Sequence, residues 1–232
     1  MKAVILAGGL GTRLSEETSD KPKPMVKIGN LTLIEHIMNT YAFYGVKEFI
    51  IATGYLHEVV DQYFKDFTKY KVNCLFTGTD TQTGGRIKRA INSLDDELIC
   101  VTYGDGLANV NVKNLIDFHK SSKNLATVTA VRPPARFGRL KIIGDKVVNF
   151  GEKMQSEEGW INGGYFVLDK KVADYISGDE MPFEWDPLTK LTQERTLGAF
   201  FHEGFWAPVD TLREKKELEK FWDDSNPPWV MK

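Results

Sequence analysis

Apolar positions along this chain fall in short runs whose period changes from one stretch to the next. Lys2 to Leu6 (KAVIL) is a short apolar run that ends in Ala-Gly-Gly, the pattern of a buried strand opening into a loop. A helix follows: Thr32 and Glu35 form a capping box, Ile34, Ile37, Met38 and Tyr41 recur at three-to-four spacing, and Gly45 supplies the stop. The pattern then predicts a strand at Phe49–Ala52, a helix at Glu58–Phe64 and a strand at Val72–Phe76. Next come a helix opening near Gly84–Gly85, a strand at Leu98–Thr102, a helix at Val112–His119 and a strand at Ala126–Val131. Strand alternating with helix predicts parallel βαβ units, so the fold class is α/β with a Rossmann-like, doubly wound, mainly parallel sheet.

The second half breaks that rhythm. Leu140–Ile143 and Lys146–Phe150 flank Gly144-Asp145, which reads as a hairpin with a two-residue turn. Trp160–Leu168 and Leu197–His202 read as strands, and Thr211–Trp222 as an amphipathic helix. The proline-containing tail from Ser225 is expected on the surface. These elements add antiparallel strands to the parallel sheet. With no repeat, linker or low-complexity tract, a single domain over residues 1–232 is expected.

Composition narrows the function by exclusion. A net charge of −2 offers no global field for nucleic acid or an acidic membrane surface. The two cysteines, Cys74 and Cys100, sit in strand-like runs without metal-ligand spacing and read as buried apolar residues. No run is long enough to span a bilayer, and no signal peptide is evident, so the expected location is the cytoplasm. His36, His57, His119 and His202 are scattered and read as structural. No serine or cysteine has an evident base.

The candidate chemistry begins in the loop after the first strand. Gly8, Gly9 and Gly11 let the backbone turn and approach a ligand, and Arg13 puts a permanent charge beside them. The loop lacks the third glycine of a dinucleotide fingerprint and the Gly-Lys of a Walker A loop. Shortly after it, Pro22 and Pro24 hold Lys21 and Lys23 on a restricted backbone, the placement a lysine needs to meet phosphate at a fixed point. Asp105 lies beyond the carboxyl end of a strand, where open α/β sheets bind ligands, and suits an Mg²⁺ held against phosphate oxygens. Asp210 is a second acid, although either it or Thr211 is placed to cap the last helix, and both roles can coexist. Glu152 and Asn162 have the groups to bond sugar hydroxyls and Lys153 to hold a phosphate. Gly163 and Gly164 inside a strand point to close approach of a ligand or another backbone.

The ordered set Leu-Ala-Gly-Gly-Leu-Gly-Thr-Arg-Leu, Lys-Pro-Lys-Pro-Met, Tyr-Gly-Asp-Gly, Glu-Lys, Asn-Gly-Gly and Val-Asp-Thr resembles the sugar-1-phosphate nucleotidyltransferases from residue 1 to about 222. Thr83-Gly-Gly-Arg-Ile-Lys-Arg and Phe205-Trp-Ala-Pro-Val-Asp-Thr-Leu-Arg-Glu-Lys resemble the branch that transfers a cytidylyl group to glucose 1-phosphate. The resemblance implies an enzyme of sugar-nucleotide supply for polysaccharide biosynthesis. Leu6, Gly8, Gly9, Gly11, Thr12, Arg13, Lys23, Thr83, Gly84 and Asp105 would hold the nucleoside triphosphate. Gly104, Glu152, Lys153, Asn162 and Gly163 would hold the sugar 1-phosphate, and Asp105 and Asp210 would hold Mg²⁺. Arg13 and Lys23 would be catalytic. The nucleotide half would run to about residue 131 and the sugar-phosphate half from 132 to 232. Expected partners are the two substrates, with no nucleic acid and no membrane; a homo-oligomer is compatible with the apolar Trp206 and the Trp222–Trp229 tail. The other readings are the same reaction with GTP, UTP or dTTP and a mannose or heptose phosphate, and a non-catalytic sugar-nucleotide-binding subunit. One departure stands out: the segment between Phe76 and Thr83 is shorter than in the cytidylyl branch.

Overall fold

The computed structural model describes residues 1–133, 139–143, 146–151 and 159–231. In chain order the first half forms β1 (Ala3–Ala7), a short pair β2 (Lys27–Ile28) and β3 (Leu31–Thr32), α1 (Leu33–Phe43), β4 (Glu48–Thr53) and α2 (His57–Phe64). It continues with β5 (Lys71–Phe76), α3 (Thr83–Asn92), β6 (Leu98–Tyr103), β7 (Gly106–Ala108), α4 (Val112–Ser121) and β8 (Ala126–Val131). The second half holds β9 (Arg139–Ile143), β10 (Lys146–Gly151), β11 (Ile161–Asp169), α5 (Asp186–Gln193), β12 (Leu197–His202), β13 (Trp206–Pro208) and α6 (Leu212–Asp223).

The central sheet runs β12-β8-β11-β6-β1-β4-β5. β1 lies between β4 and β6, parallel to both, and all five of its residues are buried, as a strand covered on both faces requires. β11 alone runs antiparallel, inserted between β6 and β8. β9 pairs with β10 and β13 with β7, both antiparallel, so the additions expected in the second half are present. The hairpin turn at residues 144–145 lies outside the described residues.

Strand alternation divides the core in two. Ala3, Ile5 and Ala7 of β1 face one cluster, which packs against Ile34 and Ile37 of α1, Val60 of α2, Leu115 of α4 and Leu218 of α6. Val4 and Leu6 face the other, with Ile87 and Ile91 of α3, Phe183 from the segment before α5, and Leu191 of α5. The capping box of α1 forms as its sequence predicts: Thr32 Oγ1 accepts from Glu35 N at 3.2 Å, and Glu35 Oε2 accepts from Thr32 N at 2.8 Å.

Two features differ from the sequence pattern. The tail lies on the surface only in part: Ser225, Asn226 and Val230 are exposed, but Trp229 is 1% exposed and belongs to the first core cluster. Its indole N–H donates to His36 Nδ1 at 3.1 Å and its ring stands edge-on to the His36 imidazole, so the paired prolines turn an apolar anchor inward. Helix α5 is also absent from the sequence pattern. It has no side-chain cap, only two turns and a proline in its first turn, too little to register against the periodic signal of longer helices.

Candidate active site

The carboxyl ends of β1 and β6 open on a cavity of about 380 Å³ lined by Leu6, Gly8, Gly9, Gly11, Thr12, Arg13, Lys23, Thr83, Gly104 and Asp105. Ten of the residues singled out by the sequence therefore line one cavity. Gly11 turns the loop: it sits at φ 66°, caps the single-turn helix Thr12–Leu14, and a Cβ there would stand 3.0 Å from Lys23 Cβ. Among the described residues, the N–H groups of Gly9, Leu10 and Gly11 donate to no backbone carbonyl, which leaves them available to an anion.

Lys23 joins the two candidate metal ligands. Its Nζ donates to Asp105 Oδ2 at 2.6 Å and to Asp210 Oδ1 at 2.5 Å, and the residue is only 8% exposed. Arg13 NH1 donates to the other oxygen of Asp210 at 2.7 Å from a side chain that is 72% exposed. The cluster thus balances two carboxylates against two cations. Thr211 is the N-cap of α6, its hydroxyl accepting from Glu214 N, while the Glu214 carboxylate accepts from both Asp210 N and Thr211 N. Capping falls to Thr211 and leaves the Asp210 side chain free to face Lys23. The residues fit a hard divalent ion: two carboxylates converge on one point, and Mg²⁺ characteristically uses one or two carboxylates with phosphate and water completing its shell. Among the described residues there is no larger His, Cys, Asp and Glu cluster.

The far end of the cavity carries residues the sequence reading missed. Glu184, just before α5, accepts from Thr83 Oγ1 at 2.6 Å and from the Tyr103 hydroxyl. Asn162 Nδ2 in turn donates to the Tyr103 oxygen at 3.1 Å. Burial first, and then the neighbouring Glu184 carboxylate, holds the Tyr103 phenol far above its ordinary value, so it stays protonated and donates to Glu184. This chain of side chains links Thr83 at the start of α3 to Asn162 on β11. Arg86, one turn into α3, is buried and donates to the carbonyls of Gly8, Thr53 and Gly78. Burial pulls its guanidinium below its ordinary value, with the nearby Arg89 adding to the effect. A polar residue three positions after Thr83 on a helix whose other inner positions are apolar was the available signal.

Other predicted residues are placed apart from the cavity wall. Gly84 donates its N–H to Met181 O at 3.0 Å and packs against that segment. At Gly163 the close approach is to β8, where a Cβ would stand 2.6 Å from Val131 Cγ1 and 2.9 Å from the Thr129 carbonyl, and its own carbonyl accepts from Trp206 Nε1 at 2.8 Å. Glu152 and Lys153 lie outside the described residues. Three histidines bond within the fold: His36 to Ile28 O, His119 to Thr127 and His202 to Phe205 O. Cys100 is buried and Cys74 half-buried, and burial pushes both thiols up to about 12.

Residues 2–224 match the nucleotidyl transferase family. The chain belongs to that family. It is 45% identical to the glucose-1-phosphate cytidylyltransferase of Salmonella typhimurium over 253 aligned positions, covering 99% of this chain and 98% of the relative. It is 30% identical to the D-glycero-α-D-manno-heptose 1-phosphate guanylyltransferase of Aneurinibacillus thermoaerophilus, covering 95% of this chain and all of the relative. The crystal structure of HddC from Yersinia pseudotuberculosis superposes with a TM-score of 0.75 at 28% identity, covering 95% of this chain and 99% of that one. The protein is a sugar-1-phosphate nucleotidyltransferase, as its motifs predict, on the fold of those enzymes. The 253 aligned positions exceed its 232 residues, so the Salmonella enzyme carries segments this nucleotidyltransferase lacks. No helix among its described residues is long and apolar enough to cross a membrane.

Proposed function

We propose that this enzyme transfers a cytidylyl group from CTP to glucose 1-phosphate, releasing pyrophosphate and forming CDP-glucose. The observation that carries the reaction type is the four-residue cluster of Arg13, Lys23, Asp105 and Asp210 at the wall of a glycine-lined cavity. Near-full-length similarity to the Salmonella cytidylyltransferase favours CTP and glucose 1-phosphate.

A phosphate oxygen of the sugar 1-phosphate attacks the α-phosphorus in line. The α–β bridging bond breaks and its electron pair leaves with pyrophosphate. The nucleophile is already ionised at neutral pH, so no general base is needed. The obstacle is repulsion between polyanions, about 4 kcal/mol per pair of unit charges 4 Å apart at an effective dielectric of 20. Arg13 and Lys23 are the catalytic cations: they offset that repulsion and align the phosphates, as the free amides of Gly9, Leu10 and Gly11 cradle them. Mg²⁺ held by Asp105 and Asp210 would supply further charge neutralisation at the phosphate oxygens. Leu6, Thr12 and Thr83 border the nucleotide, and Gly84 supports Thr83 from behind, against the Met181 segment. Gly104, Glu152, Lys153 and Asn162 serve the sugar phosphate, with Gly163 seating β11 against β8 beside Asn162, so that the halves meet near residue 131. The enzyme works in the cytoplasm and feeds polysaccharide biosynthesis.

A second reading, GTP with a heptose or mannose 1-phosphate, is favoured by the similarity to the heptose-phosphate guanylyltransferase. The test is pyrophosphate release with Mg²⁺ and glucose 1-phosphate across CTP, UTP, GTP, ATP and dTTP. Turnover confined to CTP supports the assignment. Turnover with GTP, or only with another sugar phosphate, replaces it with the second reading. No release with any triphosphate and sugar phosphate pair would sink both.

A further inference from the structure

The cluster that binds the two carboxylates together also restricts what else they can hold. Lys23 Nζ sits on Asp105 Oδ2 and Asp210 Oδ1 at once, and Arg13 takes the remaining oxygen of Asp210. A divalent ion on those carboxylates would stand against the ammonium at near-contact distance, in a place where Lys23 is nine-tenths buried and poorly screened. The lysine and the metal therefore compete for the same oxygens. What differs between the competitors is where each goes when a polyphosphate enters. The backbone of Lys23 is fixed between Pro22 and Pro24 in a single-turn helix, but its four-carbon stem is flexible and its head can swing to a phosphate. Arg13 is mostly exposed and equally able to turn.

We propose that Lys23, assisted by Arg13, is the counter-cation of the metal carboxylates and makes metal binding conditional on the nucleotide. The inference rests on the metal assignment proposed above and goes beyond it. A triphosphate draws Lys23 and Arg13 away from Asp105 and Asp210, and the carboxylates are released at the moment the metal–nucleotide complex needs them. The metal arrives with the nucleotide and not before it. The same two cations thus act twice, as place-holders on the carboxylates and then as phosphate ligands. No bond is made or broken in this exchange; charge is redistributed among four side chains and the incoming complex.

The test is a titration of the whole protein with Mn²⁺, a paramagnetic stand-in for Mg²⁺, read by loss of the free-ion resonance signal, with no sugar phosphate and no turnover. Lys23→Met keeps an unbranched stem one atom shorter and removes the charge. It is expected to bind Mn²⁺ alone about tenfold or more tightly than the unaltered protein, and adding Asp105→Asn is expected to cancel the gain. Arg13→Gln, at an exposed position that leaves the core intact, is expected to give a smaller gain in the same direction. CTP is expected to tighten Mn²⁺ binding far more in the unaltered protein than in Lys23→Met. Equal Mn²⁺ affinity without nucleotide in the unaltered protein, Lys23→Met and Arg13→Gln overturns the proposal. So does a gain that survives Asp105→Asn. Because pyrophosphate release is measured separately, failure of the place-holder role and failure of the proposed reaction give different results.

Discussion

The Arg86 guanidinium donates to the Gly8 carbonyl at 2.9 Å and fills the space a Gly8 side chain would need, its NH1 only 2.1 Å from the position of a Cβ. The same group also holds Thr53 O at 3.0 Å and Gly78 O at 2.7 Å. One buried cation from α3 thus ties together the ends of β1 and β4 and the segment after β5. The glycine-rich loop starts from a point fixed by α3, the helix whose first residue, Thr83, lines the far end of the cavity.

Gly8→Ala forces a methyl group into that guanidinium. Overpacking of this kind costs about 1–3 kcal/mol, and the loop amides shift with it, so the apparent affinity for the triphosphate falls. Arg86→Ala removes the obstacle along with the hydrogen bonds. Gly8→Ala combined with Arg86→Ala is therefore expected to be less destabilised than the sum of the two, by about 1 kcal/mol or more. Urea unfolding of the four proteins measures the coupling; strict additivity would show that the two sites do not communicate.

Removing either member of the Lys23–Asp105 pair is expected to abolish most turnover while leaving a folded protein. Preorganised charge at a reacting phosphate is worth about 10²–10³ in rate per group, so Lys23→Ala and Asp105→Asn should each lose at least that much in kcat. Circular dichroism and melting, run beside the pyrophosphate assay, separate the loss from unfolding. Near-normal rates in both variants would mean the cluster is not the reacting site.

Glu184 accepts from two hydroxyls across the cavity, and truncating it leaves the Thr83 and Tyr103 hydroxyls without that partner. Glu184→Ala is expected to raise KM for the triphosphate about tenfold, the equivalent of one or two lost hydrogen bonds to a charged acceptor, with a smaller effect on kcat. Tyr103→Phe, which keeps the ring and removes one donor, should fall between the two. Steady-state kinetics with each substrate varied in turn decides it: a kcat loss at unchanged KM would place Glu184 with the reacting groups instead.

The parts legible in the sequence are those where one residue type meets one local demand. The capping box of α1, the alternation of strands and helices, and the glycine loop with Arg13 and Lys23 all follow from neighbours in the chain. What escaped depends on distant partners. Arg86 reads as an ordinary helix cation until Gly8, 78 residues away in sequence, is seen under it. Glu184 matters through Tyr103, 81 residues distant, and α5 beside it is too short to announce itself by period. Trp229 reads as part of a proline-rich surface tail because its partner, His36, lies 193 residues earlier.

That last contact makes the fold acid-sensitive in a defined window. His36 Nε2 bonds Ile28 O at 3.0 Å, and Nδ1 receives the Trp229 indole N–H, so the neutral ring carries its proton on Nε2. A second proton would place two donors face to face. Burial holds His36 below its ordinary value of 6.5 despite the opposing effects of the Ile28 carbonyl and Glu35; burial does the same to His119 and His202. A folded-state value below the unfolded one means the unfolded chain takes up protons first as pH falls. Stability from these residues is complete above about pH 6.5 and declines below it, by at most about 1.4 kcal/mol per pH unit for each histidine. Urea midpoints measured between pH 7.5 and 5.5, with the indole fluorescence followed, should therefore fall with acidification. His36→Gln removes one titrating group: it is expected to be less stable at pH 7.5 yet to lose less on going to pH 5.5. Carboxylates such as Asp96 and Asp179, whose values are lowered by hydrogen bonds from Lys2 and Arg89, titrate below this window and do not blur it. An unchanged pH slope in His36→Gln would assign the acid sensitivity to the other two histidines and remove the His36–Trp229 contact from it.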